Sequence, residues 1–238
     1  MQTNASTTPE IFLRRANERF HTEIGWLDSW HTFSFGEHYH PEMAGFRSLR
    51  VINDDIIAPG QGFGTHPHAS MEIFTYVIAG ELEHKDSMGN GRIIKAGEFQ
   101  YMSAGSGVTH SEFNPSAEKP VHLLQIWITP AAPGGEPRYA DFDTKPLRQE
   151  NGLTLLASPS GAGSSFAIRQ HAEIHFGHLS QGAQLSPDSP FSHHFLHLIK
   201  GEIKIADQTL RAGDAAAFGA SLPIRATEDS EFLFFALS

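Results

Sequence analysis

The sequence of 238 residues contains no cysteine and comparatively little positive charge. Without a thiol, the chain has no disulfide framework, no cysteine nucleophile and no cysteine-bound zinc or iron–sulfur cluster. Only 17 Lys and Arg stand against 27 Asp and Glu, which gives a formal net charge of −10. A chain of this charge repels a phosphate backbone, so we expect no direct binding to nucleic acid.

Long apolar runs and several well-known catalytic motifs are also absent. No segment approaches the roughly 20 apolar residues of a membrane helix. The first ten residues, MQTNASTTPE, are polar and lack the core of a signal peptide. We therefore expect a cytoplasmic protein with no membrane attachment. The sequence has no G-x-S-x-G nucleophile elbow, no G-x-G-x-x-G dinucleotide fingerprint and no Walker A loop.

The residues that are present indicate an all-β protein. The chain has 22 Gly and 14 Pro spread along its length, and they separate short runs of β-branched and aromatic residues. Helical periodicity is weak throughout, so we predict antiparallel strands arranged as sandwiches or barrels. The predicted strands are Phe46–Ile57, Met71–Ala79, Gly91–Lys95, Glu98–Met102, Val121–Thr129, Leu153–Ala157, Phe166–Leu179, His194–Ile199, Glu202–Ile205 and Glu231–Leu237.

The two halves of the chain resemble each other. TYVIAGELEH at Thr75–His84 matches LHLIKGEIKI at Leu196–Ile205, and IKAGEFQYM at Ile94–Met102 matches LRAGDAAAF at Leu210–Phe218. Gly80 matches Gly201 at a distance of 121 residues, and Gly97 matches Gly213 at a distance of 116 residues. Two matches in the same order at nearly one distance indicate a duplication.

A segment rich in proline and glycine, Pro130–Pro137 (PAAPGGEP), separates these halves and reads as a linker. We therefore predict an N-terminal domain at 1–131 and a C-terminal domain at 138–238.

Histidine is abundant, with 15 copies, and two glycine-rich segments concentrate residues that bind metals. GQGFGTHPHASME, at 60–72, holds an H-x-H pair, and GEFQYMSAGSGVTHSEFN, at 97–114, holds an H-x-E pair 44 residues later. Residues i and i+2 of a strand share a face, so two adjacent strands could gather these side chains around one divalent metal. The candidate ligands are His66, His68, His110 and either Glu112 or Glu72, between which periodicity does not choose.

The remaining histidines carry no comparable pattern. We expect ordinary structural or surface roles for them, namely for His21, His31, His38, His40, His84, His122, His193, His194 and His197. When the halves are aligned through their matched glycines, the C-terminal positions equivalent to the three metal-binding histidines hold Pro187, Ser189 and a residue near Ala226. The second half therefore lacks the site.

These segments resemble the two metal-binding motifs of cupins. The likeness narrows to the pirin family of bicupins, since LRRANERFHTEIGWLDSWHTFSF at Leu13–Phe35 resembles the N-terminal signature of that family. The likeness covers most of residues 11–130 and is to the bacterial pirin-like quercetinases. It implies two tandem cupin barrels, and it favours Glu112 over Glu72 as the fourth metal ligand.

The same resemblance implies a reaction and a cofactor. A divalent transition metal, iron(II) first and manganese, nickel, copper or zinc as alternatives, would bind a flavonol such as quercetin through its 3-hydroxyl, and O2 would open the ring. Glu112 or Glu72 would accept the hydroxyl proton. We expect some of the nearby aromatic residues to line the pocket, namely Phe63, Phe74, Phe99, Tyr101 and Phe113.

Some pirins instead act as iron-containing regulators that bind a transcription factor without turnover. An open pocket of flavonol size favours the enzyme, whereas a filled pocket beside a charged surface patch favours the regulator.

Overall fold

A computed structural model of the chain describes residues 11–219 and 222–238. The described chain is almost entirely β-strand, with three 3₁₀ turns at Ala16–Glu18, Pro41–Met43 and Lys145–Leu147. No helix in these ranges is long and apolar enough to cross a membrane. The strands are β1 (Ile11–Arg14), β2 (Phe20–Glu23), β3 (Leu27–His31), β4 (Leu49–Ile57), β5 (Gly62–His68), β6 (Glu72–Ala79), β7 (Glu81–Asp86), β8 (Gly91–Lys95), β9 (Glu98–Ser103), β10 (Val108–Phe113), β11 (Val121–Ile128), β12 (Arg138–Asp143), β13 (Gly152–Ser158), β14 (Phe166–Ala167), β15 (Ala172–Leu179), β16 (Gln184–Leu185), β17 (His193–Lys200), β18 (Glu202–Ile205), β19 (Gln208–Arg211), β20 (Ala215–Phe218), β21 (Ile224–Ala226) and β22 (Ser230–Leu237).

Most predicted strands coincide with observed ones to within a few residues, and β8 and β18 match exactly. The single strand predicted at Phe166–Leu179 was wrong, because the chain forms β14 and β15 with a break between them. Arg169 lies in that break, and its backbone N–H and guanidinium donate hydrogen bonds to Glu72 and to the carbonyl of Glu136. These contacts draw the chain away from its own sheet and toward the other half of the molecule.

The strands form two barrels with the same strand order, each made of a seven-stranded and a four-stranded sheet. In the N-terminal barrel the orders are β12-β9-β6-β11-β4-β3-β2 and β5-β10-β7-β8. In the C-terminal barrel they are β1-β20-β17-β22-β15-β13-β14 and β16-β21-β18-β19. The matched glycines, Gly80 with Gly201 and Gly97 with Gly213, all have φ between 79° and 87°. The repeated sequence thus corresponds to repeated hairpins with the same left-handed turn residues.

Each barrel receives one edge strand from the other half of the chain. β1 lies near the N-terminus but pairs with β20 of the C-terminal barrel. β12 follows the predicted linker but pairs with β9 of the N-terminal barrel. The division into 1–131 and 138–238 therefore describes the bulk of each barrel, and we retain it as a proposal, with the two edge strands exchanged.

The two seven-stranded sheets pack face to face and share one apolar core, so their inner strands are buried on both faces. Along β11, Leu124 and Ile126 point into this shared core, while Leu123, Gln125 and Trp127 point into the N-terminal barrel. This alternation explains the nearly continuous apolar run of β11, and it places one polar residue among the inward-facing side chains.

The C-terminal barrel buries an unusual histidine on β17. His197 is 1% exposed, and burial, with Arg19 nearby, lowers its pKa to about 4. A lowered pKa means that the unfolded chain takes up a proton before the folded chain does. The contribution of neutral His197 to the free energy of unfolding is therefore complete above pH 6.5, and it is lost as the pH falls through about 4.

We expect His197→Gln to flatten this pH dependence. Denaturant unfolding at successive pH values should show that the wild type loses about 3 kcal/mol more than the variant between pH 6.5 and pH 4. Other buried histidines titrate equally in both proteins, so the difference between the two curves isolates His197. Parallel curves would show that His197 does not titrate in this way.

Candidate metal centre

The predicted histidines come together on two paired strands of the four-stranded sheet. β10 runs antiparallel to β5, with His110 opposite His66 and Val108 opposite His68. The register shifts between His110 and Glu112, so that Glu112 lies opposite Phe63 and β5 carries one extra residue. A β-bulge of this kind re-aims side chains, and here both Phe63 and His66 line the same cavity.

One glycine permits this close pairing of the two strands. A Cβ atom at Gly62 would lie 2.2 Å from the carbonyl oxygen of Glu112, so no other residue fits there without moving the backbone. Glycine in the first metal-binding segment is therefore a requirement of the strand contact beside the site.

The three histidines offer ring nitrogens that all lie within 4.8 Å of one another. His66 donates from Nδ1 to the carbonyl of Gly64 at 2.8 Å, which leaves its Nε2 with a free lone pair. Nε2 of His66 and Nε2 of His110 are 3.0 Å apart. Two nitrogens bound to one metal at right angles, with bonds of about 2.1 Å, would be separated by about 3 Å.

The electrostatics of the cluster also fit a bound cation. Burial, and then the neighbouring imidazoles, lower the pKa of His68 to about 4 and that of His110 to about 3. These two rings are therefore neutral at pH 7 and can act as ligands. Nε2 of His68 is buried without a partner in the described part of the chain, which is costly unless a metal completes it. The cluster indicates one bound divalent metal.

Glu112 lies beside this group, but its carboxylate is held by neighbours from the facing sheet. It is 5% exposed and accepts hydrogen bonds from Gln125 Nε2 at 3.2 Å and Thr75 Oγ1 at 3.4 Å. Burial raises the pKa of Glu112, while His84 and His66 nearby oppose that rise. The described group of three mutually close ligand atoms does not include Glu112, so its coordination to the metal stays a prediction.

A row of polar residues crosses the seven-stranded sheet behind Glu112, and it was not predicted. His31, Asn53, Gln125, Thr75 and Gln100 occupy successive paired positions on β3, β4, β11, β6 and β9. Thr75 and Gln125 each stand between apolar neighbours in the sequence, and that signal is visible there. These two residues of the row donate the hydrogen bonds that hold the Glu112 carboxylate inside an apolar barrel.

His84 is a second residue that the sequence interpretation underrated. It is fully buried on β7 opposite Glu112, and its Nε2 lies 3.2 Å from Nδ1 of His110. Its ring stacks on Tyr139 of the exchanged strand β12, with centroids 4.9 Å apart. A hydrogen bond to the outer nitrogen of a metal-binding histidine orients the ring, so His84 positions His110.

Glu72, the other candidate carboxylate, lies on the opposite face of its strand. It shares the face of Phe74 and Tyr76, which pack into the core between the barrels, whereas Thr75 faces Glu112. Its carboxylate is 1% exposed and accepts hydrogen bonds from Tyr101, Ser103 at 2.6 Å and the Arg169 backbone at 3.1 Å. Glu72 thus joins the two halves of the molecule.

We expect Glu72→Gln to keep its metal and to lose stability. The amide nitrogen would face groups that donate hydrogen bonds, so the free energy of unfolding should fall by about 3 kcal/mol. Denaturant unfolding and metal analysis of the same preparation measure both effects. A stable variant that had lost its metal would instead make Glu72 a ligand.

The histidines open onto a cavity of about 630 Å³ whose walls are largely apolar. Of the aromatic residues predicted to line it, Phe63 does so. Phe74, Phe99 and Tyr101 are instead ordinary core residues between the barrels, which is the other role that an excess of phenylalanine suggests. Each lies one residue away from an inward-facing position, so alternation along the strand turns it outward. Phe113 is also not among the lining residues.

The N-terminal segment supplies much of the remaining wall, contrary to the ordinary roles expected for its histidines. His21 on β2, His31 on β3 and His38 in the following loop all line the cavity, together with Phe35. Their strands pair onto the edge of the seven-stranded sheet through β4. His40, in contrast, is exposed as expected.

The interior of the C-terminal barrel is apolar where the N-terminal barrel holds the histidines. Leu196, Ile203, Ala226 and Phe234 belong to one fully buried cluster there. Among the described residues, this barrel holds no group of three histidine or carboxylate side chains placed like those of the N-terminal barrel.

Two β-barrels in one chain, one with a histidine cluster that opens onto a cavity, define a metal-binding bicupin. Comparisons with known proteins agree with this class. The family model described as Pirin matches residues 13–128, and the one described as Quercetinase C-terminal cupin domain matches residues 155–237. The chain is 45% identical over 230 residues to the protein named quercetin 2,3-dioxygenase of Escherichia coli K12, covering 95% of this chain and 98% of that one.

Solved structures lead to the same conclusion. The bacterial pirin YhhW of Escherichia coli in complex with nickel(II) is 44% identical and superposes with a TM-score of 0.91, covering 96% of this chain and 99% of that one. The protein GK1651 of Geobacillus kaustophilus is 27% identical with a TM-score of 0.79, covering 94% of each chain. The chain belongs to the pirin family.

Proposed function

We propose that the chain is a metal-dependent dioxygenase that cleaves flavonols such as quercetin with O2. The observation that carries the proposal is the cluster of His66, His68 and His110 at the wall of an open, largely apolar cavity. A cavity of about 630 Å³ lies in the range that takes up small organic ligands. The name quercetin 2,3-dioxygenase, carried by a relative that matches nearly the whole chain, supports the substrate class.

The residues of the cavity have separate tasks in this proposal. His66, His68, His110 and Glu112 hold the metal, for which iron(II) is our first choice and manganese, nickel, copper or zinc the alternatives. When bound, the metal supplies a Lewis acid that lowers the pKa of the flavonol 3-hydroxyl. Glu112 accepts the hydroxyl proton, since its carboxyl group lines the cavity beside the histidines and Glu72 is turned away from the cavity.

The apolar walls then orient the flavonolate and exclude water. Phe63 and Trp127 line the cavity beside the histidines, and the ring of Trp127 lies 5.0 Å from that of His68. The flavonolate reacts with O2, the ring between C2 and C4 opens, and one molecule of carbon monoxide leaves for each O2 taken up. The nickel(II) complex of the bacterial pirin supports metal binding by this fold.

The test is flavonol consumption by protein loaded with iron(II) under nitrogen. We expect quercetin absorbance to stay constant until O2 is admitted, and then to fall with release of one equivalent of carbon monoxide. The His171→Ala variant, which changes an exposed histidine of the other barrel, should behave as the wild type does. Equal consumption with and without O2, or none at all, would contradict the proposal.

The open cavity is the feature that favours turnover over a purely regulatory role. A regulatory protein partner and a cytoplasmic location stay predictions.

A further inference from the structure

The cavity contains a second set of polar side chains that the proposed chemistry does not use. Ser29, His31, Asn53 and Asp55 lie on β3 and β4, line the same cavity as the histidine cluster, and are between 1% and 4% exposed. Four buried polar residues at the wall of an apolar cavity are costly unless they bond to one another or to a ligand.

Bonds within this set use only part of its capacity. His31 Nδ1 lies 2.8 Å from Asn53 Oδ1, and Ser29 donates to Asp55 Oδ1. On the other side of the imidazole, Nε2 of His31 lies 2.9 Å from Thr22 Oγ1. In the described part of the chain, the Asn53 amide nitrogen and the second Asp55 oxygen have no protein partner. One donor and one acceptor therefore remain for a ligand.

The set is linked to the metal-binding histidines by a continuous path of aromatic rings. His68 contacts Trp127 with centroids 5.0 Å apart, Trp127 contacts Phe35 at 5.6 Å, and Phe35 contacts His31 at 5.2 Å. These rings pack edge to face or tilted, and all four line the cavity wall between the histidine cluster and the polar set. A planar ligand of several rings could bind the metal at one end and hydrogen bond at the other.

Burial raises the pKa of Asp55 to about 7. Near neutral pH, a part of the population is therefore protonated and can donate as well as accept, which suits a phenolic hydroxyl.

We propose that Asn53 and Asp55, held by His31 and Ser29, form a second subsite that recognises hydroxyl groups on the part of the substrate remote from the metal. The inference rests on the proposed function and narrows its substrate class to aromatic compounds that carry several hydroxyl groups. A compound with a metal-binding hydroxyl alone would leave the two polar groups unpaired, and such mismatches reduce affinity strongly.

Equilibrium binding under nitrogen tests the subsite without turnover. The metal-loaded protein is titrated with quercetin and with 3-hydroxyflavone, which keeps the metal-binding hydroxyl and lacks the other ring hydroxyls. We expect the wild type to bind quercetin at least about tenfold more tightly. In Asn53→Ala this preference should fall to about twofold, while the affinity for 3-hydroxyflavone stays within about twofold of the wild-type value.

Two further variants keep the test decisive if Asn53→Ala folds poorly. Asp55→Asn retains an acceptor for Ser29 and should also reduce the preference. Ile24→Ala changes an apolar residue of the same cavity and should leave the preference intact. The subsite would be overturned if the Asn53 and Asp55 variants lost affinity for both ligands equally. It would also be overturned if the wild type bound quercetin and 3-hydroxyflavone with the same affinity.

The outcomes for the subsite and for the dioxygenase are separable. Preferential binding without O2-dependent consumption would leave the subsite and reject the enzyme. Consumption of both flavonols with equal affinity would leave the enzyme and reject the subsite.

Discussion

The variant His110→Ala is expected to lose its metal and all O2-dependent flavonol consumption while remaining folded. His110 is 1% exposed, faces His66 at 3.0 Å, and is oriented by His84 on its other side. Removing it leaves two imidazoles, with no ring in the middle of the cluster. We expect the metal affinity of the variant to fall by more than about a hundredfold. After dialysis against a chelator, less than about one-tenth of an equivalent of metal should remain bound to it.

Metal analysis, circular dichroism and thermal unfolding of one preparation distinguish loss of the site from loss of the fold. The metal-free variant should still unfold cooperatively, because His110 lies on β10 of the four-stranded sheet, away from the core that the two seven-stranded sheets share. His171→Ala provides the matched control, as it removes an exposed imidazole from the other barrel. One full equivalent of metal retained by His110→Ala would remove the basis of the proposed site.

The convergence of His66, His68 and His110 was predictable because local geometry decides most of it. An H-x-H pair and an H-x-E pair on strands put their side chains on one face, whatever the rest of the fold does. The pairing of His66 with His110 confirms that the two strands are neighbours. The duplicated hairpins were equally local, since the turn between strands required glycine at Gly80 and Gly201.

The walls of the site were not predictable in the same way, because they depend on which face of each strand points inward. In β6, both faces are buried, so the apolar pattern did not show that Thr75 faces the cavity while Phe74 and Glu72 face the other barrel. In β6 and β11, a polar residue between apolar neighbours was the available signal, namely Thr75 and Gln125.

Contributions from distant segments were also beyond a local analysis. His31 reaches the cavity only because β3 pairs with β4, and Tyr139 reaches His84 only because β12 crosses to the N-terminal barrel. The periodicity within a segment does not predict such a pairing. The partner of an edge strand depends on which sheet edge elsewhere in the fold is still unpaired. Because the edge strands β1 and β12 are exchanged, neither barrel is made from one continuous half of the chain.

Glu112→Gln is expected to separate metal binding from proton transfer. The amide is nearly isosteric and keeps an oxygen that can accept from Gln125 and Thr75, so the fold should tolerate it. Three imidazoles remain, so at saturating metal the variant should still bind one equivalent, though more weakly. An amide does not accept the proton of the flavonol hydroxyl, and kcat should therefore fall by about a thousandfold.

The pH profile of the remaining activity carries the decisive information about Glu112. In the wild type, activity should rise with pH as the Glu112 carboxyl group ionises, because only the ionised carboxylate can accept the flavonol proton. In Glu112→Gln this rise should disappear, and the residual rate should increase only where the flavonol ionises by itself. A carboxylate that served only as a metal ligand would give a different result, because added metal would then restore kcat. An unchanged kcat and an unchanged profile would assign the proton to a group other than Glu112.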